Sequence, residues 1–319
     1  MNRRQSGGFS RRAAKLALLW LAVVTIPAGA QDVPAAQDPP VAEAAPAADR
    51  VAALLAQHEA LSGEFARSPF EQPLHVRSYE GRRDSAGDVY GIVDYPIDAV
   101  AEAFSSPAHW CDTLILHLNV KYCRAGEGES GNRLSVFIGG KRDEALSSAS
   151  RVEFAYRIET SQPDYVHVVL EAPRGPLGTG NYLIELEAVR LDDSRSFVHM
   201  RYSNSYGARA RFAMRLYLAT SGSGKVGFTS VGEAGDASAD GPKLIRGVRG
   251  AIERNVMRYF LAIDAYLGVR SLPEPERFEA SLDRWFSATE RYPQQLHELD
   301  RDEYLALKRR EYLRQQSTP

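Results

Sequence analysis

VYGIVDYPIDAVAEAFSSPAHW, residues 89–110, contains the strand-to-helix transition that decides the fold. Its first seven residues have strand character, and Pro96 then fixes the start of a short helix that ends near Ser105. One face of this helix is apolar and is formed by Val100, Ala103 and Phe104. The aromatic residue Trp110 marks the predicted end of this segment. A strand that leads into a helix ahead of a long strand-rich region predicts an α+β protein.

The rest of the chain alternates between strand signals and turn signals. A hairpin of residues 74–80 and 89–95 comes first. Six further strand-like runs cover residues 118–123, 134–138, 150–159, 165–171, 182–189 and 197–203. No helix fits between these runs, so the predicted sheet is antiparallel. Residues 208–219 fit either a helix or another strand.

The strongest helix signal covers residues 242–267, where apolar side chains recur at helical spacing. Pro242 suits a first helical turn, and Gly268 suits a stop. After it, residues 269–319 form a charged, helical C-terminal extension.

The entry from a strand into Pro96, the short apolar helix, the SSPAHW ending and the late helix together resemble the START lipid-transfer domains. These belong to the helix-grip (SRPBCC) superfamily, and the resemblance covers roughly residues 74–267. It implies a helix-grip fold for residues 49–268, in which a curved antiparallel sheet wraps around a long C-terminal helix. It also implies that the gap between sheet and helix holds an apolar ligand.

Residues 1–30 have the pattern of an export signal, with early basic residues, an apolar run over residues 16–26 and Ala28-Gly29-Ala30 before the predicted cleavage near Ala30. The apolar run is too short to span a bilayer. We therefore expect a periplasmic or secreted protein, exported by general secretion or by the twin-arginine route. Residues 31–48 form an Ala/Pro-rich linker.

Removing the signal takes away five of the 39 basic residues and none of the 41 acidic ones, so 34 remain against 41, a net charge of −7. This charge argues against a nucleic-acid partner. Residues 201–258 nevertheless hold ten basic and four acidic residues. They form either a solvated mixed surface or a face that contacts anionic membrane lipids through Arg209, Arg211 and Arg215.

The two cysteines are Cys111 and Cys123, and an even pair in an exported protein predicts a disulfide. A disulfide that closes a loop of this length stabilises a fold by roughly 3 kcal/mol. The alternative is a metal site that includes His109 and His117, but the spacing matches no standard zinc pattern. We expect no metal and no cofactor.

No catalytic constellation is visible in the sequence. GxSxG, HExxH and CxxCH motifs are absent, and the glycine string over residues 222–227 is typical of a turn. His167 and His199 lie in predicted strands, where they could face a cavity or the surface. Whether the protein is an enzyme stays open, and binding is favoured over turnover.

The candidate ligand site consists mainly of aromatic residues in the elements around the expected gap. They are Trp110, Phe137, Phe154, Tyr156, Tyr182, Tyr202, Tyr259 and Phe260. Core packing accounts for each of them equally well. Arg201 and Asn255 are polar residues in otherwise apolar or strand contexts, and they could orient a head group, bond to backbone or point outward.

Three functions fit these features. The first is periplasmic binding or transfer of a lipid or other hydrophobic small molecule. The second is an enzyme similar to polyketide cyclases and aromatases, and the third is a non-catalytic envelope interaction module whose cavity is filled by its own side chains.

Overall fold

A computed structural model describes residues 46–128, 131–219, 224–231 and 243–317; the side chains of residues 127, 128, 131, 209, 213, 215 and 217–219 are outside the description. The predicted export signal and almost all of the predicted linker lie outside the described residues. Eight strands form one antiparallel sheet in the order β1-β2-β8-β7-β6-β5-β4-β3. They are β1 Leu74–Glu80, β2 Asp84–Val93, β3 Val120–Gly128, β4 Gly131–Ile138, β5 Ser150–Gln162, β6 Tyr165–Arg174, β7 Thr179–Arg190 and β8 Ser196–Tyr206.

Eight α-helices accompany the sheet within the described residues. They are α1 Ala47–Ala66, α2 Ile97–Ala103, α3 Pro107–Leu114, α4 Ala208–Ala219, α5 Gly247–Leu267, α6 Glu274–Glu290, α7 Pro293–Leu296 and α8 Arg301–Ser317. The segment Ala208–Ala219, which fitted a helix or a strand, is therefore a helix. No helix among these is long and apolar enough to cross a membrane.

The inner face of the sheet is covered by three helices. The long helix α5 packs against β1, β2 and β8, while α2 contacts β6 and β7, and α3 contacts β3 and β4. Gly91 on β2 permits this packing, since a Cβ there would come within 2.7 Å of the Phe260 ring. Phe260 is fully buried, and burial of such a side chain contributes about 1.5–3 kcal/mol. The predicted helix-grip arrangement of a sheet around a long late helix is confirmed.

The segment after β2 contains two helices rather than one. Pro96 precedes α2 as predicted, but Ser106 then caps α3 by accepting a hydrogen bond from the backbone N–H of His109. Trp110 consequently lies inside α3, and the expected aromatic stop was wrong. The predicted disulfide between Cys111 and Cys123 is confirmed, and it ties α3 to β3.

The predicted boundaries of the late helix were too wide at one end. Helix α5 begins at Gly247 and not at Pro242, which lies outside the described residues. Leu244 instead forms an isolated bridge with Ser230. Gly268 ends the helix as predicted.

The outer face of the sheet is partly covered by α1. Leu54 and Leu61 of this helix pack with Tyr90, Tyr165 and Phe197 in a second, smaller apolar cluster. Helix α1 begins at Ala47, so its first two residues belong to the predicted linker. It shields the middle of the sheet from solvent on the side opposite α5.

The charged C-terminal extension is helical, as predicted, and belongs to the same compact unit as the sheet. Its helix α6 packs on α5, and α8 packs on β3 and α6. Glu311 of α8 forms ion pairs with Lys308 at 2.7 Å and with Lys121 of β3 at 2.9 Å, and all three side chains are buried.

Candidate functional site

Five ring side chains form a continuous row between α5 and the inner face of the sheet. The distances between ring centroids are 4.8 Å from His117 to Tyr259, 5.6 Å from Tyr259 to Tyr202, 6.2 Å from Tyr202 to Tyr182 and 6.4 Å from Tyr182 to Phe154. Four of the five were predicted as ligand-site residues. The structure therefore brings them together in one place, next to the middle of α5.

His117 is the end of this row, and the sequence pointed to it only as an alternative metal ligand. The backbone N–H of Asn119 donates to its Nδ1 at 3.2 Å, so the neutral ring carries its proton on Nε2. Burial lowers the pKa of His117 well below 6.5, and nearby Arg258 and Lys308 lower it further. The ring is 2% exposed. Its Nε2–H is a buried donor with no hydrogen-bond partner among the described residues.

Asn255 lies on α5 beside this donor. Against the larger effect of burial, weak hydrogen bonding from its side chain raises the pKa of His117 and lowers the pKa of Tyr202, but its amide does not reach the geometry of a well-formed hydrogen bond to His117 Nε2. Tyr182, Tyr202 and Tyr259 keep 8%, 9% and 8% of their surface accessible. The row is therefore almost completely buried, and a small accessible part remains on each of these tyrosines.

Trp110 and Tyr156 lie in the same apolar core but in a separate aromatic group. The Tyr156 hydroxyl donates to the Phe104 carbonyl at 2.7 Å, which gives this residue a structural role. Trp110 lies 5.0 Å from the Phe104 ring. Its Nε1–H is buried and has no partner among the described residues.

Two of the predicted ligand-site residues lie on the other face of the sheet. Arg201 forms an ion pair with Asp88 at 2.9 Å on the outer face, because it alternates with the inward-facing Met200 and Tyr202. Phe137 alternates with the inward-facing Leu134 and Val136 in the same way, and its ring contacts Tyr122 instead.

His167 and His199 also lie on the outer face, within a dense network of charges. His199 Nε2 is 2.9 Å from Asp88 and its Nδ1 is 3.3 Å from Glu187. Although burial opposes it, these two carboxylates raise the pKa of His199 above 6.5. His167 Nε2 is 2.8 Å from Glu185, and Arg50 of α1 reaches both glutamates. These groups satisfy one another and hold α1 on the sheet.

Helix α4 flanks one end of the aromatic row. It contacts α5, β8 and the turn Pro176–Gly178, and the hydroxyl groups of Thr179 and Tyr182 lie 2.6 Å apart beside that turn. Three large apolar side chains in this region are solvent-exposed, namely Leu177, Phe212 and Leu216. Of the three arginines predicted to contact a membrane, Arg211 donates to the Arg82 carbonyl at 2.9 Å. The side chains of Arg209 and Arg215 lie outside the description.

The sheet order, the antiparallel pairing throughout and the position of α5 decide the architecture. The chain has a helix-grip fold. No family model matches its sequence, and no curated protein does.

Solved structures similar to this chain include the Zhui aromatase/cyclase from Streptomyces sp. R1128, at 12% identity over 68% of this chain and 95% of the other, with a TM-score of 0.30. A START superfamily protein from Mycobacterium smegmatis is 8% identical over 42% and 79%, with a TM-score of 0.27. Human StAR-related lipid transfer protein 5 is 10% identical over 49% and 84%, with a TM-score of 0.28. Likenesses this low carry no argument about function.

Proposed function

We propose that this protein binds a lipid or another hydrophobic small molecule between the sheet and α5, beside His117. The observation that carries the proposal is the Nε2–H of His117 at the end of a row of rings, a buried donor that has no well-formed hydrogen bond among the described residues and only a weak contact with Asn255. A buried donor without a partner costs about 1–3 kcal/mol. A ligand that supplies an acceptor at this point recovers that cost, which favours its binding over an empty state.

The surroundings define the class of ligand. Tyr259, Tyr202, Tyr182 and Phe154 offer ring faces to an apolar or aromatic body. Asn255 provides a second polar group within the same short stretch of α5. The expected ligand is thus largely apolar and carries one carbonyl, ether or hydroxyl oxygen that accepts the hydrogen bond from His117.

The proposal includes contact with a membrane through α4 and the turn beside it. Leu177 is 88% exposed, Phe212 is 71% exposed and Leu216 is 57% exposed, an unusual degree of exposure for side chains of this size. Apolar side chains next to arginines on a short helix suit the boundary between lipid head groups and acyl chains. A membrane contact here would place the end of the aromatic row close to the source of a lipid ligand.

The periplasmic location is part of the same proposal. The signal-like residues 1–30 support export, and the disulfide suits an oxidising compartment. Fusing the full chain to a reporter enzyme that is active only outside the cytoplasm would test this part independently.

The binding test starts from the mature chain, purified from cells, extracted and examined by mass spectrometry for lipids that copurify with it. We expect a hydrophobic compound at near-equal molar ratio, and less of it with His117→Phe, which keeps a ring beside Tyr259 but removes the donor. Phe137→Leu is the matched control, because Phe137 lies on the outer face of the same sheet. An empty wild-type protein, or equal loading of all three proteins, would overturn the proposal.

Membrane contact is tested by sedimentation with vesicles of phosphatidylcholine and phosphatidylglycerol. The double substitution Phe212→Ser and Leu216→Ser should reduce the bound fraction several-fold. Leu313→Ser is the control, since Leu313 is 66% exposed on α8. Equal binding by both variants would show that α4 is not the contact surface.

A further inference from the structure

A cavity of about 280 Å³ lies away from the aromatic row, between α3, the end of α5, α6 and α8. Its lining includes His109 and Asp112 of α3, Tyr266 of α5, and Arg277 and Phe278 of α6. The volume is slightly below the usual range of about 300–1,000 Å³ for small-molecule sites. It suits a small metabolite rather than a lipid.

The charged groups in this cavity do not pair with one another. The Asp112 carboxylate has no hydrogen bond and no ion pair among the described residues, although Arg270 and Arg277 also line the cavity. Arg270 is already paired with Glu102 at 2.9 Å. The Arg277 guanidinium donates to the Leu272 carbonyl at 2.9 Å and has no carboxylate partner in the described part of the chain.

Two further observations show that the polar groups here lack partners. The Nδ1 atom of His109 is buried without a hydrogen bond among the described residues. Burial raises the pKa of Asp112 to about 6, and the charge of Glu274 adds to this effect, while Arg270 and Arg277 oppose it only in part. An unpaired acid, an unpaired base and an unpartnered ring nitrogen therefore share one cavity, and the second carboxylate in its lining, Glu274, is exposed to solvent.

An apolar wall completes the cavity. The rings of Phe278 and Tyr312 stack with their centroids 3.7 Å apart, and both line the cavity together with Tyr266. Such a wall favours a ligand with an apolar or aromatic body.

We propose that this cavity binds a small zwitterion with an apolar body, such as a free α-amino acid, with its ammonium group toward Asp112 and its carboxylate toward Arg277. A zwitterion supplies the opposite charge to each unpaired group at once, which a singly charged ligand does not. The aromatic wall holds the body of the ligand. This binding is independent of the lipid site beside His117.

The test is calorimetric titration of the mature protein with a panel of the natural L-amino acids, with L-phenylalanine as the reference probe. Phenethylamine lacks the carboxylate, and 3-phenylpropanoate lacks the ammonium group. We expect at least one apolar amino acid to bind, and both truncated analogues of phenylalanine to bind at least tenfold more weakly than the zwitterion that binds best.

Asp112→Asn and Arg277→Gln should each weaken that binding at least tenfold. Asp112→Asn removes a buried charge, so this variant should fold. If Arg277→Gln does not fold, Arg277→Lys is used in its place, and we expect it to weaken binding less than tenfold. Asp193→Asn, in the exposed turn before β8, and Arg157→Gln, on the exposed side of β5, are the controls. No response to any panel member, equal binding of a truncated analogue, or unchanged binding by Asp112→Asn would each overturn the proposal.

Discussion

Replacing Glu311 by Gln should be among the most destabilising single changes on α8. The carboxylate of Glu311 pairs with Lys308 and Lys121, and the three side chains are at most 1% exposed. Removing the acid leaves two ammonium groups buried without a counter-charge. Breaking a buried pair in this way costs about 3–5 kcal/mol, a large part of the roughly 5–15 kcal/mol that stabilises a typical domain.

The ammonium groups of the two lysines cannot easily move into solvent, because hydrogen bonds hold them in place. Lys308 donates to the carbonyls of His117 and Val120 at 2.7 and 2.8 Å, and Lys121 donates to those of Leu118 and Arg142. The buried charge can instead be removed if a lysine loses its proton. Burial lowers the pKa of Lys308 to about 8 even with Glu311 present, and without the acid we expect that pKa to fall further.

The loss of a proton gives the prediction a pH signature. A lysine whose pKa is lower in the folded state than the 10.5 of the unfolded chain makes folding more favourable as pH rises through that interval. In Glu311→Gln the gap between the folded-state and unfolded-state pKa values of Lys308 is wider. The free energy of unfolding that the variant loses relative to the wild type should therefore shrink between pH 7 and pH 10.

The assay is urea unfolding followed by the fluorescence of Trp110 and Trp285, which are both buried. Glu279→Gln is the matched control, because Glu279 also pairs with a basic residue of α8, Arg309, but both partners are 50% exposed. An exposed pair is worth about 0–1 kcal/mol. If Glu311→Gln lost no more than this control, or if its deficit did not depend on pH, the reasoning would be refuted.

Two other predictions concern stability. Replacing Cys111 and Cys123 by Ala should lower the free energy of unfolding by roughly 3 kcal/mol, the value for a loop of about this length, and dithiothreitol should have no further effect on that variant in the same urea assay. In the network under α1, burial alone would raise the pKa of Glu187, but hydrogen bonds from His199 and Tyr165 and the charge of Arg50 lower it from 4.5 to about 2. The carboxylate therefore contributes up to about 3 kcal/mol to the free energy of unfolding, and this contribution is lost as the pH falls from 4.5 toward 2. Acid titration followed by circular dichroism should show the loss in the wild type. The same acid dependence in Glu187→Gln would contradict this prediction.

The strand pattern of the sequence predicted the sheet well. The first strand was predicted at its observed bounds, Leu74–Glu80, and β5 and β6 begin where predicted, at Ser150 and Tyr165. The period of two is clearest in β5, where Val152, Phe154 and Tyr156 are buried against the core and the residues between them are not. The same alternation places Arg201 and Tyr202 on opposite faces of the sheet, because adjacent residues in a strand point to opposite sides. The alternation was thus enough to place Arg201 on the outer face.

His117 was harder to find because the apolar run around it, LILHLNV, looks like part of a strand. In the structure this run is the end of α3, a turn and the start of β3. A short buried apolar run does not distinguish a helix end from a strand. The cavity beside Asp112 could not be found from sequence at all, because α3, α5, α6 and α8 contribute to it from positions spread over two hundred residues.

The C-terminal extension is structurally tied to the proposed lipid site. The turn that carries His117 is held by α8, because Lys308 donates to the His117 carbonyl and Tyr304 donates to the Leu116 carbonyl at 3.0 Å. The disulfide holds the same turn from both sides, through Cys111 before it and Cys123 after it. The orientation of the His117 donor thus depends on α8, so shortening the chain before Arg301 should impair ligand binding as well as stability.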